Sequence, residues 1–446
     1  ISILLPYKEN FSPEYPGAVS LFINDTSKVS KYKKYIKVFG NTEFKKLFNI
    51  KYENITLTNR FVGSQSKAYV NKFIEFEKKE PSDLIEVHNR PIYLKYLSKR
   101  LNKRTYTLFF HNDPLSMEGS KSINDRDFLL KESYRIIFNS NWSKNRFLEG
   151  LDHKYVNSEK LKVFFQSAKK GNLNYLKKKQ KWITFVGKLN KAKGYDLFGK
   201  AIIKILNKNR SWKAKIVGDE KRERIDFNHK NIDKLGFLNH EKVLALYRKS
   251  SIAIVCSRWE EPFGRTSLEA SANGCAVIIS NKGGLPETIT NAIILKSLNH
   301  NELVKEINNL IINKNERVKL QKLSIKNFFL THKYVSNLID AYRDEKLHKI
   351  NLFNTNKKNK NLRILHVTNF NERHDGRLFF NTGRRINNGF IRLGHSILDF
   401  SDRDIQKYYK NYKDLNGAKT LNNKLIKTCY NFKPDIMVLG HADLIS

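Results

Sequence analysis

The densest chemistry in this 446-residue chain lies in Ser257-Arg-Trp-Glu-Glu-Pro-Phe-Gly-Arg-Thr-Ser-Leu-Glu-Ala-Ser-Ala-Asn-Gly274. The segment follows an apolar run, Ile252 to Cys256, turns through Pro262 and Gly264, and continues in good helix formers. That order predicts a strand, a tight turn and a helix. At such a junction the free N–H groups of the helix amino terminus face the carboxyl end of a sheet, where anionic ligands bind. Glu261 falls on the turn and Glu269, eight positions on, in the second turn of the helix. One carboxylate can meet a sugar beyond a phosphate group while the other accepts hydrogen bonds from neutral hydroxyls nearer the helix. Elsewhere, His111 ends an apolar run in Phe109-Phe-His-Asn-Asp-Pro114, and Gly17 sits in Tyr15-Pro-Gly-Ala18, a close-approach loop after the first strand.

The Glu-x7-Glu spacing around Pro-Phe-Gly resembles the retaining nucleotide-sugar glycosyltransferases of the GT-B fold, in particular glycosyltransferase family 4. Upstream, Phe185-Val-Gly-Lys-Leu-Asn-Lys-Ala-Lys-Gly194 is similar to that family's Val-Gly-Arg-Leu-x3-Lys-Gly segment, with Lys188 where Arg is usual and Lys193 at the usual Lys. Ile216-Val-Gly-Asp219 and Leu235-Gly-Phe-Leu238 fall where the family has its next strand end and its base-contacting loop, and Gly283-Gly-Leu-Pro-Glu287 matches its Gly-Gly-x-Pro-Glu turn. The likeness is dense from Trp182 to Glu287; Glu86-Val-His-Asn-Arg-Pro91 and Asn139-Ser-Asn-Trp-Ser143 extend it into the first half.

The resemblance implies an α/β, GT-B architecture of two Rossmann-like doubly wound domains facing a cleft. It implies His111 and Glu261 as the catalytic pair at the donor sugar, with Gly17, Lys188, Lys193, Leu238, Phe263, Gly264 and Glu269 binding substrate. Lys188, Lys193 and helix N–H groups would neutralise the departing diphosphate, so neither a metal nor a cofactor beyond the nucleoside diphosphate sugar is expected. Retention at the anomeric carbon, with attack on the leaving-group face, requires no enzymic nucleophile. The implied acceptor is a glycan or lipid-linked sugar in cell-envelope polysaccharide or lipopolysaccharide synthesis. A nucleotide-sugar epimerase of the same fold and a noncatalytic polyanion-binding protein are the alternatives.

Along the chain, apolar runs of strand length alternate with helix-like segments, the pattern of a parallel sheet with crossover helices. In the first half they are Ile1 to Leu5, Tyr35 to Phe39, Leu84 to His88, Thr107 to Phe110, Arg135 to Phe138 and Leu161 to Phe165. The second series is Trp182 to Gly187, Ala214 to Gly218, Ile232 to Leu235, Ile252 to Cys256, Ala276 to Ser280 and Ala292 to Leu295. The expected domains are 1–175 on the acceptor side and 176–347 for the nucleotide sugar, with a last helix crossing back. Residues 348–361, rich in Asn and Lys, are expected as a linker. Residues 362–446 then open a partial third Rossmann-like domain, with strands at Leu362 to Thr368 and within Phe432 to Gly440. The Asp-Arg-Asp triplets at Asp125 and Asp402 are assigned to capping or surface positions rather than to a metal.

Composition narrows the class. Forty per cent apolar and 12% aromatic residues supply globular cores. The longest apolar runs fall far short of the roughly 20 residues needed to span a bilayer. Cys256, Cys275 and Cys429 show no paired spacing, so a reducing, cytoplasmic setting is expected, with a few leading residues absent from the amino terminus. Lysine and arginine (83) exceed aspartate and glutamate (43) by 40. This balance attracts polyanions, although Lys, Asn, Ile and Phe are abundant together as in a base-biased composition. No nucleic-acid partner is expected. Lys28, Lys31, Lys33, Lys34 and Lys37, interleaved with Tyr32 and Tyr35, are the candidate for peripheral contact with anionic membrane at its inner face.

Overall fold

The computed structural model describes residues 1–57, 64–101, 104–288, 291–357, 361–375, 377, 379–440 and 443–445, with backbone alone at 348–357. Its contacts separate two compact units, Ile1–Leu347 and His348–Ser446.

The first unit holds two all-parallel sheets. One is built from β1 (Ser2–Leu4), β2 (Lys37–Gly40), β3 (Tyr52–Asn54), β4 (Ile85–His88), β5 (Tyr106–Phe110), β6 (Arg135–Phe138) and β7 (Leu161–Val163), in the order β3-β2-β1-β4-β5-β6-β7. The other is built from β8 (Gln180–Val186), β9 (Lys213–Val217), β10 (Ile232–Lys234), β11 (Ser250–Val255), β12 (Ala276–Ile279) and β13 (Ala292–Ile294), in the order β10-β9-β8-β11-β12-β13. Both orders reverse direction beside the first strand of the sheet, which opens a crevice at the strands' carboxyl ends. Central strands such as β5 and β12 are buried throughout, which is why they read as apolar runs, broken in β5 only by Thr107.

Each sheet buries apolar side chains on both faces. Leu4, Val87, Leu108 and Phe138 point into one layer of the first sheet, and Ile3, Leu5, Phe109 and Ile137 into the other. The latter layer also takes Phe263, Leu268 and Ala272 from the second half, so one apolar cluster joins the two domains. The helix His332–Lys357 adds Val335, Ile339 and Tyr342 to that cluster. Its polar face is tied to the first sheet. Arg343 donates to both oxygens of Glu86 on β4 at 2.7 Å, the Tyr342 hydroxyl donates to the same carboxylate, and Asp340 accepts from the Ser30 hydroxyl at 2.7 Å.

Three helices close this unit: His300–Ile312, Lys314–Lys326 and His332–Lys357. The linker expected over 348–361 is helical as far as Lys357. Asn is a modest helix former and the stretch contains neither Gly nor Pro, so nothing local stops a helix already anchored by packing. Residues 358–360 of that expectation lie outside the described residues.

The second unit is a three-stranded parallel sheet of β14 (Arg363–Thr368), β15 (Ser396–Ser401) and β16 (Ile436–Leu439), in the order β15-β14-β16. Its core is small, with Leu365, Val367, Phe400, Leu421 and Leu425 buried together. Of the two acidic triplets, Asp125 completes a capping box with Ser122 and pairs with Lys95. Asp402 and Asp404 are buried rather than on the surface, and Asp404 accepts from the Glu372 amide at 2.8 Å and from the Ser401 hydroxyl.

Candidate functional site

The carboxyl ends of the two sheets meet around a cavity of about 260 Å³. The first half contributes His111, Asn139 and Gln166, and the second contributes Lys193, Glu261 and Arg265. Phe263 and Gly264 of the Pro-Phe-Gly turn also line it.

His111 follows β5 and is held on several sides. Asn89, in the left-handed region at φ 55°, accepts from the His111 and Asn112 amides at 3.1 and 3.0 Å, and Asn139 donates to the His111 carbonyl at 3.0 Å. The His111 Nε2 meets Nδ1 of His88, from the end of β4, at 3.0 Å. Burial, reinforced by each ring's charged or titratable neighbour, Arg343 for His88 and His88 for His111, holds both imidazoles well below their usual range. Both are neutral near neutral pH, so one ring nitrogen of the pair donates and the other accepts. His88 thereby orients His111.

Glu261 is buried and its Oε1 accepts from Lys193 Nζ at 2.5 Å, which pairs the two side chains at the cavity wall. Gly264, at φ 112°, caps the helix Arg265–Ala272 where an added Cβ would lie 2.4 Å from Leu285 Cδ1. Glycine is required there for both conformation and space.

Glu269 lies behind this wall. Its Oε1 accepts from Arg265 Nε at 2.6 Å and from His240 Nε2 at 2.8 Å, while Arg265 Nη2 reaches Asp25 at 2.7 Å on the first-half helix Ala18–Ser27. Burial raises the Glu269 carboxyl, but the Arg265 and His240 charges and hydrogen bonds outweigh it and hold the group at about 2, against 4.5 for a free glutamate. Because the folded value is depressed, the stabilisation is present above about pH 4.5 and is lost as pH falls toward 2. The full difference corresponds to about 3 kcal/mol, and about 2 kcal/mol of it should vanish between about pH 6 and pH 3. Urea unfolding of the wild type and Glu269→Gln at both pH values measures this. A stability gap that does not narrow on acidification contradicts it.

The remaining sequence candidates stand apart from the cavity lining. Glu269 faces Arg265 and His240. Lys188 is exposed, one residue beyond Gly187, which does line the cavity. Leu238 is half-buried against the cluster of Val217, Val243 and Tyr247. Gly17 caps the helix Ala18–Ser27 beside Glu9, whose carboxylate accepts from the Ser20 amide at 3.0 Å, and a Cβ at Gly17 would lie 2.1 Å from Glu9 Oε1. That helix amino terminus is therefore already occupied by the chain's own carboxylate.

Sequence reasoning missed Arg265, Gln166 and His88. Arg265 had a signal: it stands four residues before Glu269 on a helix, the spacing of an ion pair. Gln166 had none. Together these residues explain a polar anomaly. Arg265 Nη1, His111 Nδ1 and Gln166 Oε1 are buried with no hydrogen-bond partner among the described residues, and all three residues line the same cavity. Buried polar atoms left without a partner are rare, and a cluster of donors and acceptors around one cavity is arranged for a polar ligand.

Known proteins bear on the ligand's class. Residues 166–327 match the family model described as Glycosyl transferases group 1. Spore coat protein SA of Bacillus subtilis (strain 168) is 26% identical over 298 residues, which cover 59% of this chain and 79% of that protein. An uncharacterized 41.2 kDa protein in the cps region of Klebsiella pneumoniae is 23% identical over 300 residues, 62% of this chain and 81% of that one. The crystal structure of Anabaena Alr3699/HepE in complex with UDP and glucose has a TM-score of 0.58 at 17% identity, covering 77% of this chain and 99% of that chain. The chain therefore carries a glycosyl transferases group 1 region on a GT-B fold, and its coarse class is glycosyltransferase.

Proposed function

We propose that the chain is a retaining, family 4-like hexosyltransferase that moves a sugar from a nucleoside diphosphate sugar to a glycan or lipid-linked acceptor in cell-envelope polysaccharide or lipopolysaccharide synthesis. The observation that carries this reading is the convergence of unpartnered His111, Gln166 and Arg265 atoms with the Lys193–Glu261 pair on one cavity between the two sheets. The likeness to a fold neighbour holding UDP and glucose supports a uridine nucleotide, and the relative from a cps region supports an envelope polysaccharide.

In this reading His111 and Glu261 hold the donor sugar and Glu269, with its ion-paired neighbours, the ribose hydroxyls. Lys193, Lys188 and the N–H groups opening helix Arg265–Ala272 take the diphosphate. The acceptor hydroxyl attacks the anomeric carbon on the leaving-group face, the bond to the diphosphate oxygen breaks, and the hydroxyl proton passes to that oxygen. Charge building on the leaving group is met by preorganised donors, each worth about 2.7–4 kcal/mol in such a transition state. Transfer should persist in excess EDTA. Loss of activity that Mn²⁺ or Mg²⁺ restores would contradict the role given to the cations.

We also assign the chain to the cytoplasmic side, where nucleotide sugars would reach it. No described helix is long and apolar enough to cross a membrane. Within the lysine cluster proposed for membrane contact, Lys31 pairs with Asp344 and Lys37 with Glu53 and Glu80, so peripheral binding would rest on Lys28, Lys33 and Lys34. The experiment that tests the donor reading is a screen of nucleoside diphosphate sugars for protection against thermal unfolding. A true donor at 100 times its dissociation constant adds about 2.7 kcal/mol. A panel without any protective member sinks the proposal.

A further inference from the structure

A second cavity, of about 520 Å³, opens at the carboxyl edge of the first sheet and shares no lining residue with the first. Tyr7 and Lys8 reach it from the loop after β1, Arg90 from the loop after β4, Glu118 from beyond β5, and Ser64 and Ser66 from the start of helix Gln65–Lys79. We infer that this cavity seats an anionic group of the acceptor, a phosphate or a carboxylate, held between Lys8 and Arg90. The inference rests on the proposed function, in which the first half is the acceptor side.

The charge favours an anion. Lys8 and Arg90 are both exposed, and neither forms an ion pair among the described residues. Among the described lining residues Glu118 is the single carboxylate against Lys8 and Arg90, and the nearby Glu9, which also feels the Arg90 charge, is engaged by the Ser20 amide. The opening turn of a 15-residue helix adds N–H groups with the positive end of its dipole. The buried Tyr93 hydroxyl accepts from the Tyr7 amide at 3.0 Å and so helps to fix the loop that carries Lys8. Lys8 adopts φ 67°, a conformation unfavourable to a residue with a side chain, while the turn around it is fixed by the Glu9 amide donating to Pro6 at 3.0 Å. Backbone strain of this kind is retained where it places a side chain for a task.

The connectivity links the cavity to the reaction centre. The loop after β4 sends Asn89 to the His111 and Asn112 amides and its next residue, Arg90, into the second cavity. The loop after β1 gives Lys8 to the second cavity and leads into the helix whose first residue, Ala18, lines the first. An acceptor held by its charge at Lys8 and Arg90 would therefore be flanked by the same two loops that frame the donor site. A hydroxyl some distance from the charged group would be the nucleophile.

The test is calorimetric titration of the full chain with the donor cavity saturated by UDP. Four probes are used: glucose, glucuronate, glucose 6-phosphate and geranyl phosphate. At least one anionic probe should bind at least about tenfold more tightly than glucose, and Lys8→Gln and Arg90→Gln should each weaken it about tenfold, the size of one charge-assisted hydrogen bond. UDP affinity should not change in either variant. Preference for glucose 6-phosphate or glucuronate would place the charge on a soluble glycan, and preference for geranyl phosphate on a lipid carrier. If glucose binds as well as every anion, or the Lys8→Gln/Arg90→Gln double variant binds the anions unchanged, the inference is overturned while UDP binding leaves the donor reading standing. If UDP does not bind, the uridine assignment fails and the nucleoside diphosphate of the protective panel member takes its place; if no nucleoside diphosphate binds, the donor reading fails, and the acceptor assignment falls with it.

Discussion

Arg343→Met is expected to lower the unfolding free energy of the 1–347 unit by about 3–5 kcal/mol, the cost of stranding one partner of a buried ion pair. Glu86 and Arg343 are almost inaccessible, and their side chains meet through two hydrogen bonds of 2.7 Å between β4 and the crossing helix. Methionine fills much of the volume but leaves the Glu86 carboxylate with the Tyr342 hydroxyl as its principal donor. Burial then disfavours the charge with no guanidinium to offset it. The change also takes from buried Asp340 its 3.1 Å partner, leaving it the Ser30 hydroxyl and the Lys31 amide. Adding Glu86→Gln removes the more buried of the two stranded charges while keeping an acceptor for Tyr342, so the double variant should recover about half of the loss. All four tryptophans, Trp142, Trp182, Trp212 and Trp259, lie in this unit, so urea unfolding followed by tryptophan fluorescence reports on it alone. A loss below about 1 kcal/mol, the range of a surface pair, would show that the crossing helix is not held by this network.

The second large effect separates two carboxylates. Glu261→Ala should reduce turnover by about 10²–10³-fold while leaving UDP affinity within about twofold, because the group faces the cavity and would act on the sugar in the transition state. Glu269→Ala should weaken UDP and the nucleotide sugar alike, by about tenfold or more, because a charged acceptor for the ribose is lost from both. Two structural costs accompany these changes. The first leaves Lys193 without its 2.5 Å partner, and the second leaves Arg265 with Asp25 alone. Glu261→Gln and Glu269→Gln retain the volume and control for those losses. Equal loss of UDP affinity in both alanine variants contradicts the division of roles.

Much of the fold is legible because both sheets are parallel and their central strands are buried on two faces, so β12 is a continuous apolar run and β5 and β11 are interrupted only by Thr107 and by Ser250 and Ser251. The edge strand β3 (Tyr-Glu-Asn) escapes that reading because its side chains are polar and partly exposed, and β15 carries an aspartate among its apolar residues. The site is legible to the extent that its residues are local. Glu261, Phe263, Gly264 and Glu269 share one turn and helix, and the i,i+4 pairing of Arg265 with Glu269 is visible in principle. Asp25 and Gln166 are brought to it by the packing of the two halves, and His240 by the packing of helix His240–Lys249 against Arg265–Ala272 within the second half; no spacing announces either. His88 is a similar case: it falls in a conspicuous segment, yet its pairing with His111 arises from the alignment of β4 with β5.

The cavity between the sheets is proposed to hold a nucleoside diphosphate sugar for transfer. The most direct measurement is release of nucleoside diphosphate from a panel of nucleotide sugars, UDP-glucose first, with and without added acceptor glycans and with Glu261→Ala alongside. The wild type should release it slowly and acceptor should accelerate that release, with retained anomeric configuration in the product, and release by Glu261→Ala should be lower by about 10²-fold or more. Release that is equal in the two proteins, or a product of inverted configuration, would contradict it.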